Sequence, residues 1–143
     1  ETIFKIKNAL IGINNRNLNA ARENAIEAGV DDCITFQNLD FKDVGYENNY
    51  GIVISNPPYG ERLQTKDIIG LYKKMGDSFK QHYTGYTAWV ISSDMEALKR
   101  LGLQTSKKMD LYNGPLLCKF EKFELYQGSK KAKHQNNDRS SNR

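Results

Sequence analysis

Tyr50-Gly51-Ile52-Val53-Ile54-Ser55-Asn56-Pro57-Pro58-Tyr59-Gly60-Glu61-Arg62-Leu63 is the stretch on which the fold of this chain turns. Its first six residues are almost continuously apolar, the pattern of a central parallel strand covered on both faces. The strand must stop at Pro57 and Pro58, which fix φ and withhold two N–H groups. The residues from Asn56 onward therefore sit at the carboxyl end of a buried strand, where open α/β sheets bind ligands. Asn56 offers a side-chain acceptor and the Pro57 carbonyl a second one. Together they can grip both hydrogens of a planar NH₂ group, with Tyr59 stacked on the ring that bears it. Such an amine is a poor nucleophile because its lone pair is delocalised. Preorganised acceptors favour the charge that develops as it attacks, and no base is needed. The plain alternative is a rigid proline turn with no chemistry.

Working outward, Ile68, Leu71 or Tyr72, Met75 and Phe79 mark an amphipathic helix from about Lys66 to Tyr83. Residues 87–91 predict a second buried strand, with Trp89 as core. Asp94 caps a short helix through Arg100 that Gly102 closes. Two strands near 105–112 and 116–126 flank Gly114-Pro115 and should pair antiparallel, with Tyr112 in the core or the hairpin packing. On the amino-terminal side, residues 3–13 read as strand. Leu18, Ala21, Ala25 and Ala28 then repeat at helical spacing, with Asn15 or Asn17 as N-cap and Gly29 as stop. Residues 33–36 are a short strand, and 40–50 a polar loop with room for one helical turn. Strands and helices in this alternation predict an α/β fold with a mostly parallel sheet. The closing hairpin puts one antiparallel strand near an edge. No internal repeat is visible.

The 143 residues suit one domain of common size, and 27% charged against 38% hydrophobic residues suits a globular one. A net charge of +4 and a pI of about 9.0 invite a nucleic-acid partner. The charge is localised, however. Residues 127–143 hold five basic side chains against Asp138, and residues 1–126 hold sixteen of each sign. The bulk pI thus carries no information about a binding face on the body. The tail from Gln127 reads as disordered, and is either an RNA-attracting arm or a solvated end. No apolar run approaches the ~20 residues of a membrane span, and no secretory signal is visible. Cys33 and Cys118 lack metal-type spacing and read as buried free thiols, which suits a reducing cytoplasm. His82 and His134 are too scattered for a metal site, so none is expected.

Asn56-Pro57-Pro58-Tyr59-Gly60-Glu61-Arg62-Leu63 resembles the signature of the S-adenosylmethionine-dependent methyltransferases that often carry an N-terminal THUMP domain. That family includes bacterial guanine-N2 methyltransferases of large-subunit ribosomal RNA and related tRNA enzymes. Other stretches resemble it too: Asn19 to Ala25 with Ala28-Gly29-Val30, Ile34-Thr35-Phe36 with Asp40, and the run Lys108 to Leu116. The resemblance covers about residues 10–126. It implies a Rossmann-like class I methyltransferase fold, a three-layer α/β/α arrangement around seven strands, with S-adenosylmethionine as cofactor. Asn56, Pro57, Pro58 and Tyr59 would be catalytic. Asn14 and Asn15, Asp40 and again Asn56 would contact the cofactor, Asp40 through the adenine amino group. Asp40 has a second reading, as the cap of the turn Asp40 to Asp43. Arg62, Lys66, Lys107 and Lys108 would meet RNA phosphates, or are solvated surface charges.

Two departures from the family pattern stand out. The family's first strand ends in a Gly-rich loop, typically Asp-Pro-x-Cys-Gly-Ser-Gly-Thr, that cradles the methionine part of the cofactor. Here no two glycines are separated by a single residue. The expectation is a partial methyltransferase domain over 1–126, the C-terminal part of a longer protein, lacking first strand and loop. Secondly, Asn14 and Asn15 stand where the family has an acid on the ribose, and the spacing to the helix is about two residues short. An amide bonds a hydroxyl more weakly than a carboxylate does. The function implied is methyl transfer to the N2 amine of guanine in ribosomal RNA or tRNA. The alternatives are an adenine-N6 methyltransferase on DNA or RNA, and a non-catalytic RNA-binding module.

Overall fold

The computed structural model describes residues 8–12, 14–43, 50–59 and 65–126, without the side chains of 8–12, Lys42, Thr65 and Lys66. The chain forms two compact units, Glu1–Gly45 and Tyr46–Arg143.

In the first unit, β1 (Asn8–Gly12) lies parallel to β2 (Ile34–Asn38), with Asn8 opposite Ile34 and Gly12 opposite Asn38. Helix α1 (Asn15–Glu27) connects them and buries Leu18 and Ala25. Its N-cap is Asn14, not Asn15 or Asn17. Asn14 is the last residue with extended dihedrals (φ −101°, ψ 109°), and its Oδ1 accepts from the Arg16 and Asn17 amides at 2.9 and 3.2 Å. Only a residue in that position can reach those two orphan donors. Gly29, at φ +67°, ends the helix in the left-handed conformation that glycine adopts without strain. Single 3₁₀ turns occupy Asp31–Cys33 and Phe41–Asp43. Cys33 ends the first of these turns and does not start the strand, so it is exposed and not buried as expected. Its thiol donates to Asp32 at 3.3 Å, and that bond raises its pKa.

In the second unit, β3 (Gly51–Ser55), α2 (Thr65–His82), β4 (Tyr86–Ser92), α3 (Met95–Arg100), β5 (Thr105–Asn113) and β6 (Leu116–Glu124) follow in order. The sheet runs β3-β4-β6-β5. β3 and β4 are parallel, with Ser55 opposite Val90. β6 is antiparallel to both β4 and β5. It is therefore the one reversed strand of this sheet and lies one place in from the edge. Strand β4 alternates fully buried Ala88, Val90 and Ser92 with half-buried neighbours. Helix α2 covers the buried face through Ile68, Tyr72, Met75 and Phe79, each 4% exposed or less. Of the two residues offered by its pattern, Tyr72 and not Leu71 points inward. Phe79, Tyr83 and Tyr86 pack edge to face with successive centroids 5.6 Å apart.

The opposite face differs from the sequence expectation. Ile52 and Ile54 are 69% and 71% exposed, so β3 is covered by this unit on one face only. The register puts them beside Thr87 and Trp89, away from the Ala88–Ser92 face that takes α2. Trp89 is accordingly half-buried, stacked on Phe120 at 4.6 Å, and not core. Tyr112 is 72% exposed on the edge strand opposite Leu117.

Candidate active site

Asn56 to Tyr59 leave the carboxyl end of β3 as irregular chain, and exposure alternates along them. Asn56 and Pro58 are exposed, Pro57 and Tyr59 buried. A segment with two prolines has two fewer N–H groups with which to tie itself down. Its ties come from other elements. The Tyr72 hydroxyl of α2 donates to the Pro58 carbonyl at 3.3 Å. The Asn113 amide of β5 donates to the Tyr59 hydroxyl at 2.7 Å, and the buried Cys118 thiol lies 3.6 Å from the same oxygen. The Asn56 side chain is left at the surface. The motif predicts that Tyr59 offers its ring to a base. It is only 9% exposed, and its hydroxyl is engaged. The ring is packed, because the hairpin β5–β6 closes against it.

Tyr72 is 0% exposed, and its oxygen is 2.7 Å from Ser92 Oγ, which accepts from the Asp94 amide at 3.1 Å. Asp94 in turn caps α3 through the Ala97 amide at 2.8 Å. The sequence does not mark Tyr72, Ser92 or Asn113 as neighbours of the motif. Tyr72 lies 14 positions from Pro58, Ser92 lies 20 beyond Tyr72, and Asn113 lies 54 from Tyr59, and nothing local in their surroundings signals the contacts.

In the first unit, Asn14 and Asn15 lie at the carboxyl ends of the parallel pair β1–β2. Asn15 Oδ1 accepts from the side-chain amide of Asn38, the last residue of β2. Asp40 follows two positions on, half-buried, and its carbonyl accepts from the Asp43 amide at 2.9 Å, closing the 3₁₀ turn.

Of the basic residues, Arg62 lies outside the described residues and Lys66 is in the first turn of α2 with its side chain outside them. Lys107 is exposed. Lys108 is 3.5 Å from Glu121, whose side chain is 8% exposed and also accepts from Thr105 at 2.8 Å. Among the described residues, no cluster of His, Cys, Asp and Glu could hold a metal, and no helix is long and apolar enough to cross a membrane.

Parallel strands joined by helices, a reversed strand beside the edge, and an Asn-Pro-Pro-Tyr segment at a strand's carboxyl end define a class I methyltransferase fold. The chain belongs to the RMKL-like methyltransferase domain family, which matches residues 3–122. It is 38% identical over 113 residues to the ribosomal RNA large subunit methyltransferase K/L of Shewanella frigidimarina, covering 78% of this chain and 16% of that one. The chain likewise spans 29% of the length of a Synechocystis sp. relative. Among solved structures it resembles SMU.472 complexed with SAH (TM-score 0.77, 29% identity, 85% of this chain and 32% of that one). It also resembles a possible methylase from Clostridium difficile 630 (TM-score 0.76, 34% identity, 87% and 33%).

Proposed function

We propose that this domain transfers a methyl group from S-adenosylmethionine to the N2 amine of a guanine in RNA, ribosomal RNA before tRNA. The observation that carries the reading is the Asn56–Tyr59 segment, anchored at Pro58 and Tyr59 with the Asn56 side chain at the surface. The family membership and the name of the Shewanella relative support RNA as substrate.

The residues present fit half of the cofactor. Three amides and a carboxylate, from Asn14, Asn15, Asn38 and Asp40, gather around the carboxyl ends of two parallel strands. That donor and acceptor set suits a ribose diol and an adenine amino group. No Gly-x-Gly exists in the sequence to cradle the methionine half. When bound, the cofactor supplies a methyl carbon on a positive sulfur, and transfer forms the N–C bond as the S–C bond breaks. Asn56 Oδ1 and the Pro57 carbonyl accept from the two amine hydrogens and aim the nitrogen. As the nitrogen gains positive charge, both acceptors stabilise it, and the surplus proton leaves to water. Tyr59 contributes by holding the segment, and Arg62 and Lys66 provide phosphate contacts. The cytoplasm is the compartment where this substrate and two free cysteines coexist.

In the full-length protein, Asn56→Ala should lower methyl transfer ~100-fold, in line with loss of one preorganised partner. Cofactor affinity should stay within about twofold of the parent. Unchanged turnover would sink the assignment. Mass spectrometry of the product nucleoside separates the readings: N2-methylguanosine supports this one, and N6-methyladenosine replaces it with the adenine alternative.

A further inference from the structure

We propose that Tyr72, backed by Ser92, is a positioning residue for methyl transfer: its hydroxyl holds the Pro58 carbonyl and thereby sets the acceptors at Asn56 and Pro57. The inference rests on the methyl-transfer reading above and assigns to the reaction two residues outside the motif.

Helix α2 needs only an apolar residue at this position. Ile68, Met75 and Phe79 fill the neighbouring turns of the same face, and phenylalanine has the ring without the polar atom. A fully buried hydroxyl carries a desolvation cost that only a well-placed partner offsets. One arrangement of the protons satisfies every partner. The Asp94 amide donates to Ser92 Oγ at 3.1 Å. The Ser92 and Tyr72 oxygens are 2.7 Å apart. The phenol has one proton, and giving it to the Pro58 carbonyl at 3.3 Å leaves Ser92 to donate to Tyr72. Every proton in the chain is then used once, and each bond polarises the next. Burial pushes the Tyr72 phenol up to about 12, so the proton is present at any physiological pH.

The chain of bonds ends on the one part of the motif that cannot anchor itself. Pro57 and Pro58 contribute no backbone donors, so the direction of their carbonyls depends on outside donors. Tyr72 takes the Pro58 carbonyl, leaving that of Pro57 for the amine. It holds the Pro58–Tyr59 peptide plane, which directly follows the Pro57–Pro58 peptide that carries the second acceptor. A displacement of ~1 Å at a reacting centre can cost ~100-fold in rate.

The test uses the full-length protein, tritiated S-adenosylmethionine and deproteinised large-subunit ribosomal RNA. Tyr72→Phe keeps the ring and removes the hydroxyl. We expect kcat to fall about 10- to 100-fold while KM for cofactor and for RNA stays within about twofold. Phe79→Leu is the control: it sits two turns on in the same buried face of α2, packed edge to face on Tyr83, so it should lower the melting temperature and leave kcat unchanged. A folded Tyr72→Phe enzyme with kcat within twofold of the parent overturns the proposal. So does a Phe79→Leu variant that loses kcat equally, since that would make the effect one of general packing. If Tyr72→Phe does not fold, Ser92→Ala decides, with a smaller fall in kcat expected and none overturning the idea. Asn56→Ala run alongside separates the two hypotheses. If it is inactive while Tyr72→Phe is normal, only this inference fails. If Asn56→Ala is itself active, the methyl-transfer reading fails with it.

Discussion

A phenol shut away from water is a choice with a measurable consequence. Tyr72 ionises near 10 when solvated, and burial moves it to about 12 in the fold. Between those values the folded protein holds a proton that the unfolded chain has lost. The stability it confers is complete below pH 10 and is lost as pH rises towards 12. Denaturant midpoints should therefore decline across that interval, and Tyr72→Phe should shallow the decline. An equal slope in both proteins would show that Tyr72 is not the group concerned. At this scale the sequence was half legible. Helical spacing offered Leu71 or Tyr72 for the inward position, and it could not choose, because adjacent residues differ by only 100° around a helix. Packing against β4 chose Tyr72. Tyr59 shows the opposite case: an aromatic in a surface motif suggested a stacking platform, and Asn113, from a strand 54 residues later, holds it packed.

Within elements, α2 carries two glycines with opposite expected effects. A Cβ at Gly76 would lie 1.9 Å from the Leu101 carbonyl oxygen, whereas at Gly70 it would meet nothing within 4 Å among the described residues. Replacing either by alanine gains up to ~1 kcal/mol of helix propensity. At Gly76 the neighbour is backbone, which no rotamer change can move aside, and overpacking costs ~1–3 kcal/mol or more. Gly70→Ala should thus raise the denaturation midpoint, and Gly76→Ala should lower it, because α3 would be pushed off α2. Midpoints that move together would contradict the close approach of the two helices. The elements themselves were readable in order and kind, since the 3.6- and 2-residue periods are local properties. Their boundaries were less so. Asn14 caps α1 although Asn15 and Asn17 have equally suitable side chains, because the cap depends on which residue is still extended.

For the molecule as a whole, the cofactor half-site leads to a binding prediction. In the proposed function Asn14, Asn15, Asn38 and Asp40 would partner an adenosine, but no Gly-x-Gly is present to offer backbone N–H groups to the methionine carboxylate. Calorimetry on the 143-residue chain should show S-adenosylmethionine binding at least ~100-fold weaker than to SMU.472, whose structure holds SAH, the equivalent of ~2.7 kcal/mol. Comparable affinity would mean that other residues do the loop's work. By itself the sequence determined the alternation of strands and helices, the place of Asn56–Tyr59 at a strand's end, and the family. Those follow from periodicity, from proline's missing N–H, and from a contiguous motif, all written within a few residues of one another. The tertiary structure alone decided which side chains hold that motif, which face of β3 its unit covers, and that Lys108 pairs with Glu121. Such facts depend on contacts between residues far apart in the chain, and only strand pairing and helix packing bring those residues within hydrogen-bonding distance.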